Sequence, residues 1–282
     1  MTHYDLYPYP DPKQYRPEQI SMLRNDFAPR AGTWRTWWPD EKEPGPKRVL
    51  VIGCGVYEAL SVAAQEPLLD VTAIDSSAKT IAISQDLARQ AGIKNVRFFE
   101  CDITKTSVGR DYDLVIASGV MHHLRDDIAF VATVHSLMVP QGLLSIMVYG
   151  DCLRRPVEDF RKVLQFLGVK LDSDGIAFTR ALLGTLPLGH PVKELWAVVN
   201  QNDAQVVDLF LHPYAKHYDP GELLALLNMY HLTLVRWFNN ALKPPAMVAK
   251  QCEKMSENER ARVAQILNHS DAKLAGLFRK KA

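Results

Sequence analysis

No single sign of charge dominates this chain: 33 lysines and arginines stand against 32 aspartates and glutamates in 282 residues, a net charge of +1. A near-neutral total gives no broad attraction to nucleic acid or to an anionic membrane face. No apolar run approaches the roughly 20 residues that span a bilayer, and no apolar segment opens the chain. Both absences point away from membrane insertion and secretion. Cysteine is scarce, at Cys54, Cys101, Cys152 and Cys252. These form no Cys-x-x-Cys pair and no zinc-like spacing with histidine, so no metal site is expected. Unpaired thiols fit a reducing cytoplasm, the expected location. Internal repeats and low-complexity tracts are also missing. The rest is ordinary for a globular chain, with 47% hydrophobic and 23% charged residues. That is enough for one large α/β domain with additions. The local basic cluster Arg279-Lys280-Lys281 reads as a frayed, solvated end.

The stretch Val49-Leu50-Val51-Ile52-Gly53-Cys54-Gly55-Val56-Tyr57-Glu58 narrows the function most. An apolar, strand-forming run breaks at two glycines, and a helical pattern follows at once. Glycine there permits a tight turn and a close approach of backbone to ligand. The new helix presents unpaired N–H groups and a positive dipole end. Twenty residues after Gly55, the run Val71-Thr72-Ala73-Ile74 ends in Asp75, placed to accept hydrogen bonds from ribose hydroxyls. A nicotinamide fingerprint would put a third glycine where Glu58 stands, and a carboxylate facing a pyrophosphate would repel it. NAD and FAD are therefore disfavoured. A phosphate loop ending in Gly-Lys-Ser/Thr is absent here as well. An adenosyl group attached to an amino acid, without phosphates, fits better.

These residues resemble the first motif and ribose acid of class I S-adenosylmethionine (SAM)-dependent methyltransferases. Three further stations are similar to that family: Val96 to Ile103, Tyr112 to Leu124, and Gln141 to Tyr149. The likeness covers about residues 47–150, with strands in the right order. It implies a Rossmann-like, doubly wound, mostly parallel seven-stranded sheet with an antiparallel last strand. It also implies SAM as cofactor, held by Gly53, Cys54, Gly55, Asp75, Ser76, Asp102, Ile103 and Ser118. Asp102 would hold the adenine amino group, and the loop after the fourth strand would pass beside the methionine moiety. One departure is Tyr57, where many members have glycine, which touches the fit at the methionine end. A finer likeness to an uncharacterised bacterial subgroup rests on Tyr7-Pro8-Tyr9-Pro10, Met121-His122-His123-Leu124, Met147-Val148-Tyr149-Gly150, Phe210-Leu211-His212-Pro213 with Tyr218, and Glu259-Arg260-Ala261. It brings no acceptor with it.

Four segments are expected. Residues 1–46 form an aromatic and proline-rich cap, with helical spacing over Pro17 to Phe27 and a linker at Glu43-Pro44-Gly45-Pro46. Residues 47–150 form the SAM-binding core: strands 48–52, 70–75, 95–100, 112–117 and 143–149, and helices 57–66, 78–91 and 125–138. Alternation of this kind argues for a parallel sheet covered on both faces. Residues 151–218 form a helical insertion (156–167, 176–185, 191–199, 203–211) that serves as an acceptor lid. Residues 219–282 complete the sheet with strands 232–238 and 273–279 around a helical excursion at 256–268. Asp219-Pro220 and Ser256 with Glu259 are helix-start signals.

Methyl transfer from a sulfonium needs alignment and exclusion of water, with a base where the acceptor carries a proton. His122, His123 and Tyr149 are the catalytic candidates. Either histidine takes a proton or merely holds the loop, and Tyr149 either faces the acceptor or packs beneath a lid. His212, Tyr214, His217 and Tyr218 either line an acceptor pocket or form a solvated turn. Tyr7 and Tyr9 are a lid or a packed arm. The expected partner is a small-molecule acceptor methylated at O, N or C, since the Asn/Asp-Pro-Pro-Tyr loop of amino-group methylases is absent. Two alternatives stand. One is an RNA or protein acceptor, served by a basic groove of Arg154, Arg155, Arg161, Lys162 and Lys170. The other is a SAM-binding module without turnover. Oligomeric state is not legible in the sequence.

Overall fold

A computed structural model describes all residues except 1–2, 31, 42–44, 107, 200–201, 239–241, 269–272 and 282. Glu43 and Pro44 of the expected linker lie outside the described residues. Seven strands form one sheet: β1 (Lys47–Ile52), β2 (Leu69–Asp75), β3 (Val96–Glu100), β4 (Tyr112–Ser118), β5 (Met138–Tyr149), β6 (Leu232–Trp237) and β7 (Lys273–Lys280). Their order is β3-β2-β1-β4-β5-β7-β6. The first five run parallel, and β7 is antiparallel to both β5 and β6. This is the expected Rossmann-like sheet.

Alternation along the central strands divides the core into two layers. Leu50, Ile52, Val115, Ala117, Leu144 and Ile146 face one cluster, while Val49, Val51, Leu114, Ile116 and Leu143 face the other. With both faces covered, these strands read as unbroken apolar runs. The helices begin and end where local chemistry dictates. Ser77 accepts from Thr80 N at 3.1 Å to cap Ala78–Ala91, and Gly92 ends that helix at φ 69°. Asp219 caps Pro220–Met229 in a capping box with Glu222. Ser256 and Glu259 exchange the same pair of bonds before Glu257–Asn268.

Four expectations change. The Pro17–Phe27 helix shrinks to a 3-10 turn, Pro17–Met22, because the chain turns extended at Leu23 and Asn25 then bends it by accepting from Phe27 N. Strand β5 starts at Met138 rather than 143, paired to Tyr112 through an irregular stretch in which Gln141 has φ 65°. The first insertion helix starts at Asp151, directly after β5, so Pro156 lies inside it instead of at its head. The basic C-terminal cluster is not frayed: Arg279 and Lys280 belong to β7, and Lys280 Nζ donates to the carbonyls of His135 and Met138 at 2.9 Å each.

The insertion comprises Asp151–Phe166, Ser173–Thr185, Pro191–Val198 and Asp203–Val206, the last continued as a π-helical turn over Val207–Leu211. It has a core of its own built around Val157, Phe160, Ile176, Leu183 and Phe210. The N-terminal segment is packed, not loose. Trp34, Trp37 and Trp38 cover one sheet face, and Ile20 is fully buried beside Tyr57 and Leu60. Among the described residues no helix is long and apolar enough to cross a membrane.

Candidate functional site

Strand order reverses between β1 and β4, and such a switch point opens a crevice beyond the carboxyl ends of the strands. Here β1 passes into Gly53 and Gly55, with φ of 60° and 51°, a backbone region that favours glycine. A Cβ on Gly53 would collide with the Val120 side chain, and one on Gly55 would lie 2.7 Å from the Tyr9 carbonyl oxygen. The turn is thus pressed between the loop after β4 and the N-terminal segment.

Around it lies a cavity of about 670 Å³, within the range of small-molecule sites. One half is walled by Gly53, Gly55, Asp75, Ser76, Asp102, Ile103 and Ser118. Asp75 ends β2. Its Oδ2 accepts from Gly55 N at 3.1 Å and its Oδ1 from Ser77 N at 2.9 Å. Burial pushes the Asp75 carboxyl above its usual range, against the pull of those backbone bonds. At Asp102 burial acts the same way, but Lys105 Nζ at 2.6 Å and the Thr104 bonds outweigh it and hold that carboxyl low. Thr80 Oγ1 is buried on this wall without a hydrogen-bond partner, while the Ser118 hydroxyl on the same wall faces the Glu58 carboxyl. An unsatisfied hydroxyl beside a cavity is what a polar ligand would complete. The donor and acceptor set therefore fits an adenosyl amino acid.

The other half is walled by Tyr9, His123, Tyr149, Asp208, His212 and Tyr214. Tyr149 closes β5, and its hydroxyl donates to Asp208 Oδ2 at 3.0 Å. His123 Nδ1 lies 3.0 Å from the Tyr214 carbonyl oxygen, so that nitrogen carries the proton. Its Nε2 stands 3.7 Å from Asp208 Oδ1. Burial lowers the His123 imidazole and, although Asp208 opposes it, leaves it below its ordinary value and neutral at pH 7. His212 stacks on His123 with centroids 3.8 Å apart and is pushed down to about 2, chiefly by burial.

Five expected residues stay off the cavity wall. Cys54 is buried in the sheet core, its N–H bonded to Ile74 O at 2.9 Å. His122 is fully buried, its ring stacked 3.7 Å from that of Tyr149 and its Nδ1 accepting from Tyr149 N at 3.3 Å. It holds the end of β5. Tyr7 packs against the insertion core. His217 Nε2 faces Glu158 at 3.4 Å. Tyr218 is buried with its hydroxyl donating to Asp127 at 2.9 Å, and its backbone pairs with Gly150 to extend β5. The expected basic groove also dissolves, since Arg154 and Arg161 are buried.

Several lining residues escaped the sequence reading, among them His3, Tyr4, Arg125 and Asp208. Asp208 left a signal: it is a lone acid in the apolar run Val206-Val207-Asp208-Leu209-Phe210-Leu211. Its π-helical turn is a local irregularity often found at functional sites. Glu58 is absent from the wall, its carboxylate 3.3 Å from the Asn25 amide. The repulsion argued against a dinucleotide thus has no basis in its position.

Residues 50–144 match the family model described as a methyltransferase domain. An uncharacterised protein of Synechococcus sp. is 27% identical over 238 residues, covering 78% of this chain and 55% of that protein. The structure of PKMT2 from Rickettsia typhi in complex with AdoHcy superposes with a TM-score of 0.69 at 16% identity. That likeness covers 94% of this chain and 55% of the other. A second PKMT2 structure gives 0.67 at 15% identity, over 95% and 56%. This chain thus spans a little over half the length of the relatives it matches. The seven-stranded sheet and the glycine turn at its switch point agree with the match of residues 50–144 to a methyltransferase domain.

Proposed function

We propose that this chain transfers a methyl group from SAM to a small molecule bound in the half of the cavity bordered by Tyr9, His123, Tyr149 and Asp208. The observation that carries the reading is the continuity of one cavity from Asp75 and Asp102 to Asp208. A donor held at one end and an acceptor at the other would share a single continuous volume, as in-line displacement requires. When bound, SAM supplies a methyl group already activated on a positively charged sulfur. The Gly53–Gly55 backbone and Ser118 would hold its amino-acid end, Asp75 the ribose and Asp102 the adenine amino group. His3, Tyr4 and Tyr9 of the N-terminal segment wall the cavity, which supports a small acceptor over a long polymer.

Calorimetry with S-adenosylhomocysteine (AdoHcy), the product form of the donor, tests the cofactor half. Saturable binding is expected, weakened about tenfold or more by Asp75→Ala, since a charged hydrogen bond is worth roughly 1.5–3 kcal/mol. Absence of binding sinks the reading. Incubation with SAM and a metabolite extract should then yield a compound heavier by one CH2, as a methyl group replaces a hydrogen. Binding without such a product leaves only the module without turnover.

A further inference from the structure

Resting on that reading, we infer that the acceptor presents an O–H or N–H group to a fork made by His123 Nε2 and Asp208 Oδ1, and that His123 takes its proton. Three geometric facts converge. The Nδ1 proton of His123 is committed to the Tyr214 carbonyl, so its Nε2 offers a bare lone pair. Asp208 Oδ2 is committed to the Tyr149 hydroxyl, which turns Oδ1 toward His123. The two remaining acceptor atoms stand 3.7 Å apart, too far for a bond with each other, and both residues line the cavity. Two unfilled acceptors side by side call for a donor, and a hydroxyl or an amine supplies one. A carbon or thioether acceptor has no such hydrogen.

Proton transfer at this fork balances without another reactant. The bond from the acceptor atom to hydrogen breaks, and its electron pair stays on that atom as the nucleophile. The proton joins His123 Nε2, and the resulting imidazolium faces the Asp208 carboxylate. Tyr149 is a positioning residue. His122 stacks on its ring at 3.7 Å between centroids, and the Arg154 guanidinium lies 3.6 Å from the same centroid. Two flat groups so close must take opposite faces, so the phenol cannot swing away from Asp208. Arg154 is buried with its Nε and Nη2 unbonded, consistent with a group seated for stacking. The insertion supplies Asp208 and Arg154, and the sheet core supplies His123 and Tyr149, so the fork exists only when the two are docked.

The test uses three ring probes of matched shape: phenol, aniline and toluene, titrated calorimetrically with and without AdoHcy. Phenol or aniline should bind at least about tenfold tighter than toluene, a ratio worth about 1.4 kcal/mol. The stronger of the two decides between hydroxyl and amine. Asp208→Asn and His123→Asn should each erase that preference while leaving AdoHcy affinity unchanged, which also shows that the variants fold. Tyr149→Phe should weaken the preference without removing it. Toluene binding as well as the protic probes overturns the inference, and so does binding of none of the three. Survival of the preference in both the Asp208 and His123 variants overturns it too. Loss of AdoHcy binding with the preference intact would instead count against the cofactor reading.

Discussion

Glu58 illustrates how a residue can be read for the wrong reason and still matter. It occupies the place where a third glycine of a dinucleotide fingerprint would stand, and its carboxylate turns to Asn25 instead of the cavity. Burial pushes that carboxyl up to about 7. A raised acid binds its proton more tightly when folded, so its ionisation opposes folding. The penalty is absent below the unfolded value near 4.5, grows as pH rises from there to about 7, and is constant above. Glu58→Gln should therefore raise stability at pH 8 by up to about 3 kcal/mol and change it little at pH 4.5. Urea unfolding at the two pH values measures the difference, and equal gains at both would contradict the assignment. Tyr57 resolves in the same way. The residue stays off the cavity wall, because its ring turns outward to the N-terminal segment. Its hydroxyl donates to Pro12 O at 2.6 Å, and its ring meets Tyr15 edge-on at 5.2 Å.

That contact belongs to a larger arrangement of elements. The segment from His3 to Tyr15 is fastened across the glycine turn at several points. Val56 N donates to Tyr9 O at 3.2 Å, Ser77 Oγ donates to Asp5 at 2.8 Å, and Tyr57 grips Pro12. His3 and Tyr4 thereby reach the cavity, and His3 meets His212 of the insertion edge-on at 4.6 Å. Tyr57→Phe removes one of these fastenings and should cost about 1 kcal/mol. Amide hydrogen exchange over residues 3–16 should quicken while the sheet stays protected, and AdoHcy should dissociate faster. Unchanged exchange in that segment would show that the hydroxyl is not what holds it. The helix ends were legible because Ser77, Gly92, Asp219 and Ser256 act within one turn of the backbone they cap. The Pro17–Phe27 helix was misjudged because its spacing of Ile20, Leu23 and Phe27 serves burial without helical continuity. Ile20 packs beside Tyr57, whereas Phe27 meets Phe238 at 5.6 Å.

Across the whole molecule, buried histidines gather where the insertion docks on the sheet core. His122, His123, His212 and His217 are all held below their ordinary value, first by burial, with His212 near 2 and His217 near 4. A histidine whose folded value is depressed contributes stability in full above the unfolded value near 6.5. That contribution is lost as pH falls toward the folded value. Opposed to Glu58, the group should make the protein markedly less stable at pH 5 than at pH 7.5, by about 2 kcal/mol for each histidine that stays neutral. Chemical denaturation at the two pH values tests this, and His217→Asn should flatten the dependence. A profile that rises toward acid would mean that Glu58 dominates instead.

The glycine turn, the acid ending β2 and the apolar strands were fixed by sequence alone, because strand, turn and cap preferences act over a few neighbouring residues. So was the fold. The acceptor wall was not. Asp208 lies 85 residues from His123 in the chain, and only the docking of the insertion sets its carboxylate 3.7 Å from that imidazole. Docking likewise buried Arg154 and Arg161 and drew Tyr218 away from the site, while packing within the sheet core turned His122 into a support for β5. Long-range packing assigns these roles, since polar side chains with the same local sequence signal differ only in what the distant chain places against them.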